Sequence, residues 1–243
     1  MDIKIHRGDR SILLYNPQLA KRPDRSLFDF AELPVESSGS TARLATGRGQ
    51  VLYRQFDGLS VVVRHYRRGG MISKLSTDSY WYSGLQKTRM WREFALLLKL
   101  YLDGLPVPMP VAAQIERRSL VWYRGDLATQ KIDGAVTLVE SISSAPLADA
   151  QWQAVGQVLR RFHDKGCYHA DLNAGNIMLD HHGAVYLIDL DRGCLLNAGN
   201  VTRFASNLRR LKRSLDTFAE KRRGLHFSPS DWEALLTGYG EVR

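Results

Sequence analysis

The sequence predicts a two-lobed α+β fold, in which an antiparallel β-sheet lobe carrying one helix precedes a mainly helical lobe. Three observations predict it. Residues 51–66 and 111–130 form short β-branched runs separated by turns, a helix-forming stretch at 89–102 lies between them, and beyond residue 148 apolar residues recur three and four apart. At 243 residues, 44% hydrophobic and 24% charged, the chain has the length and composition of one two-lobed domain or two small ones. The expected division is an amino-terminal extension over 1–39, a first lobe over 40–132 and a second over 133–243.

Residues 1–39, rich in Pro, Asp and Ser, carry the weakest pattern. Met1 to His6 lack the apolar core of a signal peptide, and Lys99 interrupts the most apolar helix, so nothing is expected to span a membrane and a cytosolic protein is predicted. Gly47-Arg48-Gly49-Gln50 leads into Val51-Leu52-Tyr53, a turn at Asp57-Gly58 and a β-branched run from Leu59 to Tyr66: strand, turn, strand. Gly47 and Gly49 suit close approach of backbone to a phosphate, although a Gly-x-Gly pair equally serves a plain turn. Residues 89–102 are good helix formers ending at Asp103-Gly104, with Glu93 the single acid inside. Pro106, Pro108 and Pro110 then break the chain before strands near 111–116 and 120–130. A hinge is expected at Lys131-Ile132-Asp133-Gly134. From Ala148 to Lys165, Trp152, Val155, Val158, Leu159 and Phe162 share one helical face, a core stripe ending at Gly166 as cap. Cys167 and Cys194 lack CxxC spacing and read as free thiols.

The chemistry lies in His169-Ala170-Asp171-Leu172-Asn173-Ala174-Gly175-Asn176, followed by an apolar run at 177–179, a His181-His182-Gly183 turn, a second run at 184–188 and Asp189. A hydroxyl attacking a nucleoside triphosphate needs a carboxylate to orient it and take its proton, and the phosphate charge needs a divalent cation held by hard oxygens. In the pattern H-R-D-L-x-x-x-N the Asp is that base and the Asn a metal ligand. Asp171 and Asn176 have this separation, and a hairpin returns Asp189 beside Asn176 as second ligand, with His169 in support. Alone, a His-x-Asp is common as a structural pair and an Asp after a strand as a turn former. Their coincidence, with 189 − 171 = 18 as in protein kinases, predicts ATP-dependent phosphoryl transfer on a protein-kinase-like fold with magnesium. Arg64, in Val61-Val62-Val63-Arg64, then stands where kinases carry the V-A-I-K lysine for the nucleotide phosphates, and Glu93 is its expected partner. Arginine is a departure, since its planar fork is not interchangeable with an ammonium. Lys131 and Asp133 in the hinge are candidates for the adenine side of the nucleotide.

With these residues the chain resembles the lipopolysaccharide Kdo/heptose kinase family. The similarity runs from about Gly39 to Gly224 and is most specific in Val63-Arg64-His65-Tyr66-Arg67-Arg68-Gly69-Gly70-Met71-Ile72-Ser73-Lys74-Leu75, with His169 to Asn176 and Ile188-Asp189-Leu190-Asp191-Arg192-Gly193. The resemblance implies a Gram-negative enzyme, peripheral on the cytoplasmic face of the inner membrane, that uses ATP to phosphorylate the 4-hydroxyl of 3-deoxy-D-manno-octulosonic acid (Kdo) on a lipid A precursor. It implies Asp171 as base and Asn176 and Asp189 as metal ligands. Leu190-Asp191 replaces the Phe-Gly of protein kinases, which argues against their activation-loop switching. Asp191 either supports the metal site or braces the catalytic loop.

Charge bears on the acceptor. The formal net charge is +9, and residues 201–223 hold eight Lys/Arg against two acids. Val201, Phe204, Leu208, Leu211, Leu215 and Phe218 form a stripe while Arg209, Arg210, Lys212 and Arg213 cluster, describing a basic amphipathic helix. The stripe reads as core. The basic face is either solvated or attracts an anionic membrane or acceptor, for which Arg67, Arg68 and Lys74 are further candidates. No nucleic-acid module is legible, and none is expected as partner. Two other readings stay open: a kinase of the same fold acting on a protein or small soluble substrate, and an inactive nucleotide-binding scaffold. The positive charge disfavours polycationic small acceptors, and the presence of Asp171, Asn176 and Asp189 disfavours the scaffold.

Overall fold

The computed structural model describes residues 2–30, 43–46, 49–66, 78–197, 199–222 and 224–240, with backbone alone for 43–50. Gly47, Arg67, Arg68 and Lys74 lie outside the described residues. The chain divides into two units: Met1–Lys99 with Met109–Lys131, and Leu100–Pro108 with Ile132–Arg243.

The first unit is built on one antiparallel sheet. Its strands are β1 (Lys4–Arg7), β2 (Ser11–Tyr15), β3 (Arg43–Thr46), β4 (Gly49–Phe56), β5 (Leu59–His65), β6 (Tyr80–Trp81), β7 (Pro110–Arg117) and β8 (Trp122–Gln130). They run in the order β1-β2-β7-β8-β5-β4-β3, with β6 also on β8. Asp57 and Gly58, both at positive φ, make the tight β4–β5 turn. The sequence reading set residues 1–39 apart as an extension, whereas β2 pairs with β7 over Ser11↔Glu116 to Tyr15↔Ala112 and brings Ile12, Leu13 and Leu14 into the core. Ser-Ile-Leu-Leu-Tyr has no polar alternation because the strand is buried from Ser11 to Leu14, which hides it from a period-two search. Helix α1 (Arg89–Leu102) begins in this unit and buries Met90, Phe94, Leu97 and Leu98.

The second unit holds α2 (Leu138–Ser144), α3 (Asp149–Asp164), α4 (Val201–Lys221) and α5 (Pro229–Tyr239). A small sheet orders β12 (Val185–Leu187), β11 (Ile177–Leu179) and β9 (Val136–Thr137), and β10 (Cys167–Tyr168) pairs with β13 (Cys194–Leu195). Trp152, Val155, Leu159 and Phe162 of α3 are buried together with Leu235 of α5. The two helices pack so closely that a Cβ on Gly156 would lie 2.0 Å from the Leu235 carbonyl and one on Gly238 2.1 Å from that of Gln153, so each position requires glycine. Gly166, at φ +74, turns the chain out of α3 into the strand that leads to the loop 169–176.

Candidate functional site

In the first unit the part-exposed Arg64 pairs with the buried Glu93. Glu93 is 3% exposed on an otherwise apolar and basic helix, and a carboxylate so buried requires partners. Arg64 Nη2 donates to its Oε1 at 2.5 Å, and the Tyr66 hydroxyl donates to its Oε2. The guanidinium carbon also stands 5.0 Å from the centre of the Tyr66 ring. Arg64 and Tyr66 are two apart along an extended chain and so share a face. Sequence reasoning named the first two residues and missed Tyr66, whose only signal was this spacing. Gly49 opens β4. Lys131 closes the unit, its backbone N–H on the Ser60 carbonyl at 2.8 Å and its Nζ 6.0 Å from the Tyr53 ring centre. Asp133 is exposed in the turn that opens the second unit.

In the second unit the loop 169–176 is held at both ends by its own polar side chains. His169, 2% exposed, accepts the Asp171 N–H on Nδ1 at 3.2 Å and donates from Nε2 to the Ile188 carbonyl at 2.9 Å. That pattern fits the neutral ring, and burial pushes its pKa below the ordinary 6.5. The Ile188 N–H returns to the Asn176 carbonyl at 3.0 Å, and β11 and β12 pair Ile177 with Leu187, so the hairpin carries Asp189 back to Asn176. Asp189 sits at φ +59, a left-handed conformation that Asp tolerates better than most residues and that clusters at functional sites. Asn176 donates its Nδ2 to the Asp171 carbonyl at 2.9 Å, so its Oδ1 is the atom available to a cation. Asn173 donates to the same carbonyl at 2.9 Å and accepts the Gly175 N–H at 2.8 Å. Asp171 itself points outward, exposed. Asp191 follows in a turn where Arg192 is also at positive φ. Among the described residues no cluster of three or more His, Cys, Asp or Glu forms a metal cage. The pair Asn176 and Asp189 offers two hard oxygens, the donor set with which magnesium shares itself between protein and substrate phosphates.

Helix α4 braces this loop from below. Its Asn207, fully buried, accepts the His169 N–H on Oδ1 at 3.1 Å and donates from Nδ2 to the His169 carbonyl at 2.7 Å. His163 of α3 lies 3.3 Å from the same Oδ1 through Nε2 and 2.7 Å from the Tyr239 hydroxyl through Nδ1. Sequence reasoning missed Asn207: one asparagine among basic residues reads as surface, and only the packing of α4 on the loop makes it a clamp. The four clustered cations of α4 also separate. Arg210 reaches Asp171 Oδ1 at 3.4 Å, and Arg210, Arg213, Ser214, Thr217 and Phe218 line an open depression of about 350 Å³ together with Asp171 and Asn173. Arg209 is exposed on the neighbouring face, and Lys212 is paired with Asp216 at 2.5 Å.

Comparisons with known proteins agree with one another. Residues 36–239 match the model of the "Lipopolysaccharide kinase (Kdo/WaaP) family". The 3-deoxy-D-manno-octulosonic acid kinase of Photobacterium profundum is 39% identical over 231 residues, 95% of each chain. That of Vibrio cholerae is 38% identical over 204 residues, 84% of this chain and 85% of the relative. Among solved structures, "WaaP in complex with acyl carrier protein" superposes with a TM-score of 0.55 at 19% identity, covering 83% of this chain and 78% of that one, a likeness of fold.

Proposed function

Because this chain belongs to the lipopolysaccharide kinase (Kdo/WaaP) family and is a phosphotransferase of protein-kinase-like fold, we propose that it transfers the γ-phosphoryl group of ATP to the 4-hydroxyl of Kdo on a lipid A precursor, in lipopolysaccharide core biosynthesis. The observation that carries this reading is the exposed carboxylate of Asp171, held on a loop fixed by His169, Asn176 and Asn207 and open to a depression lined by Arg210 and Arg213.

Asp171 orients the sugar hydroxyl and accepts its proton while the oxygen bonds to the γ-phosphorus and the bond from that phosphorus to the bridging oxygen of ADP breaks. His169 and Asn176 act on the backbone of Asp171 and so set where its carboxylate points. Asn176 Oδ1 and the Asp189 carboxylate would hold magnesium, which when bound neutralises charge on the triphosphate. Arg64, kept in place by Glu93 and Tyr66, serves the α/β-phosphates, with Gly47 and Gly49 as backbone donors and Lys131 and Asp133 on the adenine side. Arg210 and Arg213 take an anionic group of the acceptor, Kdo being an acid by name and its carrier lipid anionic. Among the described residues no helix is long and apolar enough to cross a membrane, and we assign the enzyme to the cytoplasmic face of the inner membrane as a peripheral protein.

Purified protein incubated with ATP, magnesium and Kdo-bearing lipid A precursor should add the mass of one phosphate to the lipid, with fragmentation placing it on the Kdo ring. An unmodified lipid would overturn the assignment, and phosphate appearing on a protein or on a soluble sugar instead would redirect it.

A further inference from the structure

The hairpin joining β7 to β8 ends in a cluster of exposed apolar side chains unusual for a soluble surface. Leu120 is 88% exposed, Trp81 60%, and Val121 and Trp122 37% each. Trp81 and Trp122 are cross-strand partners with ring centres 5.7 Å apart, edge to face, so they form one block. Scattered apolar residues on a surface need no explanation, but a contiguous group that includes two tryptophans marks an interaction site.

The turn that presents them is braced from within. Arg117 lies over the Tyr82 ring at 3.8 Å and donates to the Ser119 carbonyl at 3.2 Å and the Leu120 carbonyl at 2.5 Å. The Ser119 hydroxyl accepts the N–H groups of Val121 and Trp122 at 3.3 and 3.2 Å, the Trp122 carbonyl accepts those of Arg118 and Ser119, and the Val121 carbonyl accepts that of Tyr82. Backbone groups paired in this way suit a turn entering the edge of a bilayer, where little water is at hand to bond them.

Charge selects the kind of partner. Arg117, Arg118 and Arg124 lie in and beside the tip, and Glu116 holds Arg124 at 2.8 Å and Arg118 at 3.8 Å. Tryptophan beside arginine is the composition of the headgroup boundary of anionic membranes. We propose that this tip, Trp81 with Leu120, Val121 and Trp122, docks the enzyme on an anionic lipid bilayer, the apolar side chains entering the interface and the arginines meeting headgroup phosphates. The choice of a bilayer over a second copy of the chain rests in part on the lipid-borne acceptor proposed above.

Flotation of the full chain with vesicles of phosphatidylglycerol and phosphatidylethanolamine tests it. The wild type should float, and lipids carrying a nitroxide near the headgroup should quench its tryptophan emission. Leu120→Glu with Val121→Glu should lower partitioning by roughly tenfold or more, since two apolar side chains leave the interface and two carboxylates face anionic headgroups. Leu120→Ser alone should give a smaller loss, and both variants should keep the melting temperature and the rate on an acceptor stripped of its acyl chains. Vesicle binding by the double variant equal to wild type would overturn the proposal. So would loss of a wild-type dimer in that variant with flotation unchanged, which would show that the tip meets a second copy. Flotation needs no turnover, so a wild type that floats but leaves Kdo-lipid unmodified sinks the acceptor assignment and spares the docking tip, and the converse result does the reverse.

Discussion

Replacing Asn207 by alanine is the most informative perturbation of the loop 169–176, because the residue has no part in the proposed chemistry itself and yet fixes His169, two before the proposed base Asp171. Its amide accepts the His169 N–H at 3.1 Å, donates to the His169 carbonyl at 2.7 Å and lies 3.3 Å from His163 Nε2, all in a buried setting. Alanine would leave these three groups without that partner, and at the low end of about 1–3 kcal/mol for each buried unsatisfied group the expected loss of stability is roughly 3 kcal/mol. Folded molecules should turn over about a hundredfold more slowly, the order expected when a catalytic group is displaced by an ångström, with the KM for ATP unchanged. Asn207→Asp is the control. It can still accept from His169 N–H and His163 but cannot, as a carboxylate, donate to the His169 carbonyl, so it should fall between wild type and alanine in both readouts. Urea denaturation and steady-state kinetics on the same preparations decide the matter: wild-type turnover in Asn207→Ala at an unchanged unfolding midpoint would refute the bracing role.

Asp171→Ala should lower turnover by roughly two to four orders of magnitude while ATP still binds, whereas Asp189→Asn should shift the magnesium titration and weaken nucleotide binding together; near-normal turnover in the first or an unmoved titration in the second would remove the assigned role. Arg64→Ala should cripple turnover and Arg64→Lys should restore part of it, since charge returns without the fork; full activity in Arg64→Ala would transfer the phosphate role to another cation. Changing Arg209, Arg210, Lys212 and Arg213 together to Gln should keep the fold, because the apolar stripe of α4 is untouched, and raise the KM for lipid-borne acceptor in a salt-dependent manner; an unchanged KM across a salt series would leave that face merely solvated. Stability should also depend on pH through His163, whose pKa burial lowers from 6.5 to about 4. The unfolded chain takes up this proton first as pH falls, so stability is full above 6.5, declines between 6.5 and 4 by about 3 kcal/mol and then levels off, with buried His169 acting in the same direction. His163→Gln should flatten the thermal-melt profile across that window, and a slope equal to wild type would contradict the assignment.

The sequence alone carried the local part of this protein. Helix α1 falls on the residues its propensities indicate, 89–102, and α3 and α4 follow their apolar spacing, because each helix buries one stripe and the stripe is written at a fixed period. The loop 169–176 and its hairpin were nameable as a unit for a related reason: the roles proposed for Asp171, Asn176 and Asp189 demand particular side chains at fixed separations along one short segment. Tertiary structure decided what depends on contacts between distant segments. Strand β2, buried on both faces, shows no alternation and is recognisable only through its pairing with β7. Asn207 becomes a clamp because α4 lies against a loop 38 residues earlier in the chain. The cations of α4, equivalent in sequence, divide into Arg210 and Arg213 beside Asp171 and Lys212 turned to Asp216, since successive residues on a helix point about 100° apart and only one face meets the loop. Periodicity can say that a helix has a basic side; it takes the packed neighbour to say which of those charges stands next to Asp171.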